Sequence, residues 1–232
     1  MLRGSVASTS LAALAVVLLT AATPAAPAPP GLPDVPALHR FLAIKFGVVH
    51  QVSTVRHLEA RTERFGSEAW MDVRTDADDK GFRYTVTGEG GSGMVRSRAL
   101  RATLDQEKRA WTEGQAVSLW FTAGNYDFTD LGQSDGLIRI GVTPKRRDLM
   151  LVDGQIFLNP DSGALVRVEG SLTRSPSFWT KKVGMVRYYG AVSGIQMPMS
   201  VESTAQVRLA GSSTFRMTYR YETLNGQRVD TP

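Results

Sequence analysis

Strict alternation of apolar and polar positions is the strongest pattern in the chain, and it lies in the C-terminal third. Segments 195–209 and 214–223 carry it, with apolar residues at nearly every second position. Those positions are Ile195, Met197, Met199, Val201, Ala205, Val207, Leu209, Phe215, Met217, Tyr219 and Tyr221. Because successive side chains of a strand point to opposite faces, this period predicts antiparallel strands with one buried and one solvated face.

Earlier segments show weaker forms of the same pattern, separated by turns rich in glycine, proline or charged residues. Altogether the sequence predicts ten strands, at 52–65, 68–74, 82–87, 126–131, 137–143, 149–158, 164–173, 183–189, 195–209 and 214–223. Strands of this length twist, and a single sheet of about ten of them curls instead of staying flat. The predicted fold class is therefore mainly β, a curved antiparallel half-barrel sheet with two or three covering helices.

Two helices are predicted from apolar stripes of helical period. The first spans 35–46 and has Asp34 as its N-terminal cap. Its stripe consists of Leu38, Phe41, Leu42 and Lys45, so the face is apolar except for the final lysine. The second spans 94–111 and ends before Gly114. Its stripe consists of Leu100, Leu104 and Trp111.

The second helix is predicted to face the alternating strands across an apolar cavity that binds a ligand. The predicted lining residues are Leu100, Leu104, Trp111, Ile195, Met197, Met199, Phe215, Met217 and Tyr219. Methionine is flexible and polarizable, so its abundance here favours a surface that accepts varied apolar partners. Ordinary core packing beneath the helices is the alternative, and the sequence does not separate the two.

The N-terminal segment has the pattern of a Sec-type signal peptide. Residues 1–22 combine Arg3, an apolar run at 11–19 and a small-residue exit, which predicts cleavage after Ala22. The apolar run is too short for a permanent membrane-spanning helix, and an uncleaved N-terminal anchor is the alternative. Residues 23–33 form a Pro/Ala-rich lead-in and 34–232 a single β-rich domain. The expected location is exported, either periplasmic or extracellular.

The charge balance is mildly basic, with a formal net charge of +5. This favours contact with anionic surfaces and is too diffuse to predict nucleic-acid binding. Large aromatic and basic residues adjoin one another at Phe178, Trp179, Lys181 and Lys182. These four are candidates for contact with a membrane surface or a partner at the rim of the sheet. A plug in which Phe178 and Trp179 pack inward is the alternative.

No motif predicts a catalytic centre, a metal site or a cofactor. Segment 88–93 matches G-x-G-x-x-G, but its neighbouring strands are predicted to be antiparallel, so it is interpreted as a hinge that binds no nucleotide. His39, His50 and His57 lack metal-ligand spacing. The chain is therefore predicted not to be an enzyme. A hydrolase of envelope glycans or esters is the alternative, with the candidate carboxylates Asp127, Asp130, Asp135, Asp153 and Glu169.

The order of elements and two stretches of sequence resemble known exported proteins. Segments 142–147, 151–154 and 159–163 resemble the central hairpins of the periplasmic lipoprotein-carrier superfamily of the outer-membrane lipoprotein-sorting proteins (LolA/LolB-like). The stretch from 175–179 to 221–226 is similar to an exported bacterial family of unknown function. The resemblance implies an acyl-chain cavity between sheet and helices. The chain contains no cysteine, so it does not resemble the lipid-anchored acceptor branch.

These observations predict an exported soluble carrier or binding module of the cell envelope, whose ligand is a lipid, a lipidated protein or another apolar molecule. Its expected partners are an apolar small molecule or acyl chain, and a membrane surface or lipidated protein. Nucleic acid is not an expected partner. A protein-interaction module without a small ligand is the remaining alternative beside the hydrolase.

Overall fold

The computed structural model describes residues 31–44, 49–64, 66–112, 121–147, 151–173, 180–207 and 211–229. Within them the protein is mostly β, with one large antiparallel sheet and two helices, which confirms the predicted fold class. The sheet has 11 strands and does not close on itself. No helix in the described ranges is both long and apolar enough to cross a membrane.

Ten of the strands in the described residues match predicted segments, six of them longer than predicted and four shorter. The strands are β1 (Val52–Thr62), β2 (Ser67–Asp78), β3 (Gly81–Gly91), β4 (Tyr126–Ser134), β5 (Leu137–Pro144), β6 (Val152–Leu158), β7 (Leu165–Leu172), β8 (Thr180–Val192), β9 (Ile195–Val207), β10 (Gly211–Leu224) and β11 (Gln227–Arg228). The order across the sheet is β3-β2-β1-β10-β9-β8-β7-β6-β5-β4, and β11 pairs with β10. The pairing of β1 with β10 joins an N-terminal meander to a C-terminal one.

Three tight hairpins explain much of the C-terminal meander. At Asp135-Gly136, Ser193-Gly194 and Asn225-Gly226, both residues of each pair have positive φ, between 49° and 79°. Two-residue turns of this conformation match the right-handed twist of the flanking strands, and glycine or a short polar residue adopts them at low cost. These turns therefore help to fix the register of the strands they join.

Each helix covers one part of the sheet. Helix α1 (Pro36–Ala43) is shorter than predicted, and no side chain caps it, so the predicted Asp34 cap is wrong. The second helix consists of α2 (Gly93–Val95), a π-helical segment (Arg96–Arg101) and α3 (Ala102–Thr112), here called the covering helix. Ser92 caps it, because its Oγ accepts a hydrogen bond from the backbone N–H of Val95.

Two hydrophobic clusters lie on the face of the sheet that the helices cover. The first, under the covering helix, includes Leu58, Met71, Val73, Leu100, Leu104 and Met217. The second, under α1, includes Leu38, Phe41, Ile140, Ile156, Leu158 and Leu165. The opposite face of β1 and β2 carries the exposed alternate positions. The sheet therefore has one buried and one largely solvated face, as the period-two pattern predicts.

Candidate functional site

The nine residues predicted to line an apolar cavity come together in the structure. Six of them are buried in the first cluster: Leu100, Leu104, Met197, Phe215, Met217 and Tyr219. The other three, Trp111, Ile195 and Met199, are partly buried and pack against that cluster. The covering helix thus faces the predicted strands, and the role of these residues in ligand binding stays a prediction.

A buried ion pair that the hydrophobic pattern does not predict lies in the same helix–sheet interface. Arg56 of β1 donates hydrogen bonds of 2.6 and 3.1 Å to the two carboxylate oxygens of Glu107 on α3. Both side chains are only 1% exposed, and the guanidinium carbon lies 5.2 and 5.0 Å from the ring centroids of Phe82 and Tyr219. Burial alone would lower the pKa of Arg56, but Glu107, together with Tyr219 and Tyr221, outweighs burial and raises that pKa.

Two neighbouring tyrosines beside this pair differ in their hydrogen bonding. The Tyr221 hydroxyl donates to the Pro198 carbonyl oxygen at 2.6 Å. The Tyr219 hydroxyl is buried and has no hydrogen-bond partner in the part of the chain that the structure describes, and the same holds for Trp111 Nε1. Burial raises the pKa of both tyrosines well above the ordinary value, so both hydroxyls stay protonated.

A groove of about 1020 Å³ crosses the other face of the sheet. Its floor is the main chain of one row of paired residues on seven strands, from Gly91 on β3 to Gly170 on β7. Ala60 and Phe215 belong to this row, and their side chains are buried in the first cluster. Because neighbouring side chains alternate, the two flanking rows point into the solvent and form the groove walls.

The walls are mostly polar and charged. One contains Trp70, Glu59, Arg216, Glu202, Val186 and Glu169, and the other includes Glu68 and Arg61. Arg216 Nε lies 3.5 Å from a Glu202 oxygen, and Arg167 Nε lies 2.9 Å from a Glu169 oxygen. Among the nine predicted residues, Phe215 contributes to the groove. Sequence spacing gives little sign of these walls, because their members come from strands far apart in the chain.

Trp70 is the large exposed aromatic residue of this groove, with 40% of its surface accessible. Its indole lies against the backbone of Gly88 and Gly90, and a Cβ at Gly90 would meet Trp70 Nε1 at 2.5 Å. The His57 ring stacks beside it, with centroids 6.3 Å apart and planes at 22°. Because Gly88 and Gly90 of β3 have no side chains, they leave room for the Trp70 indole, which forms a flat surface here called the aromatic platform.

His57 lies between two carboxylates next to this platform. Its Nδ1 is 2.6 Å from Asp72 Oδ1, and its Nε2 is 2.9 Å from Glu59 Oε1. The hydrogen bond to Asp72, followed by the one to Glu59, outweighs partial burial and raises the pKa of His57 above 6.5. This arrangement favours the imidazolium form, so protonated His57 carries a positive charge next to the Glu59 carboxylate of the groove wall.

Most of the segment 88–93, interpreted above as a hinge, is part of a strand. Strand β3 continues through Gly88 and Gly90 to Gly91, and Ser92 then caps the covering helix directly. The segment does connect a strand to the second helix, as predicted. Its glycines serve the packing of Trp70 and the close approach of β2, where a Cβ at Gly91 would lie 2.3 Å from the Glu68 carbonyl oxygen.

The predicted rim residues are only partly described. Phe178 and Trp179 lie outside the described residues. Lys181 and Lys182 belong to β8, which begins at Thr180, so the predicted start at residue 183 is wrong. Contact of these four residues with a membrane or partner stays a prediction.

The carboxylates of the hydrolase alternative have separate local environments. Asp127 is 70% exposed and lies 3.4 Å from Lys145 Nζ, and Asp130 accepts a hydrogen bond from the Gly132 N–H. Asp135 occupies a hairpin turn, and Asp153 is an exposed residue of β6. Glu169 accepts a hydrogen bond from Gln155 Nε2 at 3.0 Å. The described geometry thus gives Asp127, Asp130, Asp135 and Glu169 ordinary ion-pairing, hydrogen-bonding and turn roles, and leaves Asp153 as an exposed strand residue.

Comparison with known proteins found no matching protein-family model and no matching curated protein. Among solved structures, a DUF1329 family protein from Desulfovibrio piger matches with 10% identity and a TM-score of 0.34, over 74% of this chain and 84% of that one. MucB in complex with periplasmic MucA matches with 13% identity and a TM-score of 0.23, over 80% and 92%. The Pseudomonas aeruginosa MucA/MucB complex matches with 12% identity and a TM-score of 0.19, over 79% and 90%. Scores this low do not establish a shared function.

Proposed function

We propose that the chain is an exported interaction module that holds a basic, extended polypeptide segment in the groove. The observation that carries this proposal is the charge of the groove. Its described lining residues include four carboxylates, Glu59, Glu68, Glu169 and Glu202, but two guanidinium groups, Arg61 and Arg216. These lining residues give the groove two more negative than positive charges, on a chain whose net charge is +5. His57 and Arg167, which lie beside the lining, pair with Glu59 and Glu169. A basic partner is attracted to such a site and repelled elsewhere.

The length and the aromatic platform of the groove suit the same partner. Seven strands at about 4.8 Å spacing give a trough of roughly 30 Å, which an extended segment of about nine residues fills. Trp70 lies directly across the β1–β2 pair from Glu59. A lysine or arginine side chain of the partner therefore meets an indole face and a carboxylate together, and both attract a cation.

A titration with matched peptides tests the groove. We expect an alternating Arg/Ser nonapeptide to bind the protein, with affinity that falls as salt is added, because exposed charges are screened. The double variant Glu59→Gln, Glu202→Gln should bind it roughly three- to tenfold more weakly. Asp127→Asn is the control, because this exposed carboxylate lies on β4, away from the groove.

Two results of this titration would contradict the proposal. One is equal binding of the Arg/Ser peptide by the double variant and the unaltered protein. The other is equal binding of a Glu/Ser nonapeptide, which has the same length and the opposite charge. Calorimetry measures both affinities directly.

A second candidate function is an apolar-ligand carrier, as the sequence analysis predicts. The observation in its favour is that all nine predicted lining residues meet in one helix–sheet interface. Two polar atoms that have no hydrogen-bond partner among the described residues, Tyr219 Oη and Trp111 Nε1, lie among these residues. In this function a lipid or acyl chain enters between the covering helix and the sheet, and export places the protein in the cell envelope.

A further inference from the structure

His57 is the starting point, because it contacts a carboxylate of the groove wall. Its Nε2 lies 2.9 Å from Oε1 of Glu59, a lining residue of the groove, and its Nδ1 lies 2.6 Å from Asp72 Oδ1. The side chains of His57 and Glu59 are 41% and 53% exposed, so both can meet a segment that is bound in the groove. A proton on His57 therefore changes the charge next to a carboxylate that the proposed partner contacts.

The other charged groups nearest to His57 on this face of the sheet come from β1, β2 and β10. Within two positions of it, along or across the strands, they are Glu59 on β1, Asp72 and Arg74 on β2, and Arg216 and Arg220 on β10. The arginines of β2 and β10 pair with Glu222 and Glu202. Strand β3 adds no charge here, because Gly88 lies opposite Asp72. Of these side-chain types, imidazole is the one that titrates near neutral pH, so His57 controls the local charge.

The His57 imidazolium and a cationic side chain of the partner compete for the same neighbours. Glu59 lies directly across the β1–β2 pair from Trp70, and the His57 ring stacks beside the indole with centroids 6.3 Å apart. Protonated His57 pairs with Glu59 and places a positive charge against the indole. A lysine or arginine of the partner is then repelled from this position. Neutral His57 leaves the carboxylate and the indole face to the partner.

We propose that His57 makes the groove sensitive to pH, so that a basic segment is held tightly when the imidazole is neutral and more weakly when it is protonated. This inference rests on the groove function, the first of the two candidates above. The hydrogen bonds to Asp72 and Glu59 raise the pKa of His57 above 6.5. Affinity should therefore be highest above this raised pKa and should fall as the pH decreases through it. By reciprocity, a bound segment should lower the pKa of His57.

Calorimetric titration between about pH 5.5 and pH 8.5, at constant ionic strength, tests the switch. The probe is the alternating Arg/Ser nonapeptide with both termini blocked, so that the peptide itself does not titrate in this range. We expect the unaltered full-length chain to bind it about three- to tenfold more tightly at the upper end of the range. His57→Gln, which cannot take up a proton, should bind with one affinity throughout. His39→Gln is the matched control and should keep the pH dependence, because His39 is on α1, where its ring contacts the Pro33 carbonyl oxygen.

Asp72→Asn separates the switch from a structural role of His57. The hydrogen bond to Asp72 is the largest cause that raises the pKa of His57, so its loss should move the midpoint of the affinity profile to lower pH. NMR titration of the His57 ring should give the same midpoint, and a lower one when the peptide is in excess. An equal pH dependence in His57→Gln and the unaltered chain overturns the switch while the groove function stands. So does an affinity of the unaltered chain that stays constant or falls as the pH rises. If the peptide binds at no pH, the groove function itself is wrong.

Discussion

Arg56 and Glu107 dominate the energetics of the interface at the scale of single residues. Both charges are removed from water, and their fork-to-fork geometry compensates for part of the desolvation. Thr54 Oγ1 accepts a further hydrogen bond from Arg56 Nε at 3.2 Å. The pair therefore connects the covering helix to β1 in one orientation, since a slipped helix would leave a charge buried alone.

Removal of one charge of the Arg56–Glu107 pair should lower the free energy of unfolding far more than removal of both charges. We expect Glu107→Gln to lower the free energy of unfolding by about 3–5 kcal/mol, because Arg56 then stays buried without a carboxylate. The double variant Arg56→Met, Glu107→Leu should lie closer to the unaltered chain, because apolar groups of similar volume replace both charges. Urea unfolding measures both. A loss below about 1 kcal/mol in Glu107→Gln would show that Arg56 can reach water.

The sequence contains a sign of this pair that a hydrophobic pattern does not reveal. Arg56 occupies the same parity in β1 as Leu58 and Ala60, which face the helices. Glu107 lies three residues after Leu104 and four before Trp111, on the stripe that was predicted to be apolar. Each charge is an exception on an apolar face. Only the pairing of the two elements shows that the exceptions meet.

At the scale of elements, β2, β3 and the start of the covering helix depend on two adjacent glycines. Gly91 has φ of +77°, and a Cβ there would lie 2.3 Å from the Glu68 carbonyl oxygen of β2. Gly90 has no such backbone conflict, because a Cβ there would meet the indole of Trp70. Gly91 is therefore required by the backbone, whereas Gly90 is required only by the position of the Trp70 side chain.

Alanine at the two positions should have different effects. We expect Gly91→Ala to destabilise the fold by about 2–4 kcal/mol, since it combines a left-handed backbone with a main-chain clash. Gly90→Ala should cost about 1 kcal/mol, because an exposed indole can swing away. Chemical denaturation gives the free energies, and tryptophan fluorescence reports the indole movement in Gly90→Ala. Equal losses at both positions would contradict this account of Gly91.

The boundaries of elements follow from contacts that a linear pattern does not contain. Strand β3 extends through a glycine-rich segment because the Trp70 ring covers the positions where side chains are missing. The stripe of the second helix predicts its apolar face correctly, with Leu100 and Leu104 fully buried. The stripe does not predict that Arg96–Arg101 forms a π-helical segment, because the same residues also fit the period of an ordinary α-helix. Local pattern thus predicts faces better than it predicts ends.

The whole molecule is organised by the pairing of β1 with β10, whose residues are more than 150 positions apart in the chain. Without it, the sheet would divide into a meander of β1–β3 and a meander of β4–β10. The antiparallel class was predictable, because hairpin turns and alternation both indicate it. The groove was not, because its walls exist only when seven strands from distant segments lie in one register. Long-range register is a property of the packed core, not of any single strand.

The final prediction concerns the export of the whole chain. We propose that export leaves a mature N-terminus between Thr23 and Pro30, which keeps α1 intact on the second cluster. Leu38 and Phe41 are 0% and 3% exposed, so a chain that begins at Gly31 should unfold at the same urea concentration as the exported form. A chain that begins at Val49 loses α1 and should be destabilised by roughly 5 kcal/mol or more, since two large buried side chains are removed.

Mass spectrometry of the protein from its native host gives the mature N-terminus. Recovery of the form with Met1 intact, free in the cytoplasm, would show that the N-terminal segment is not an export signal.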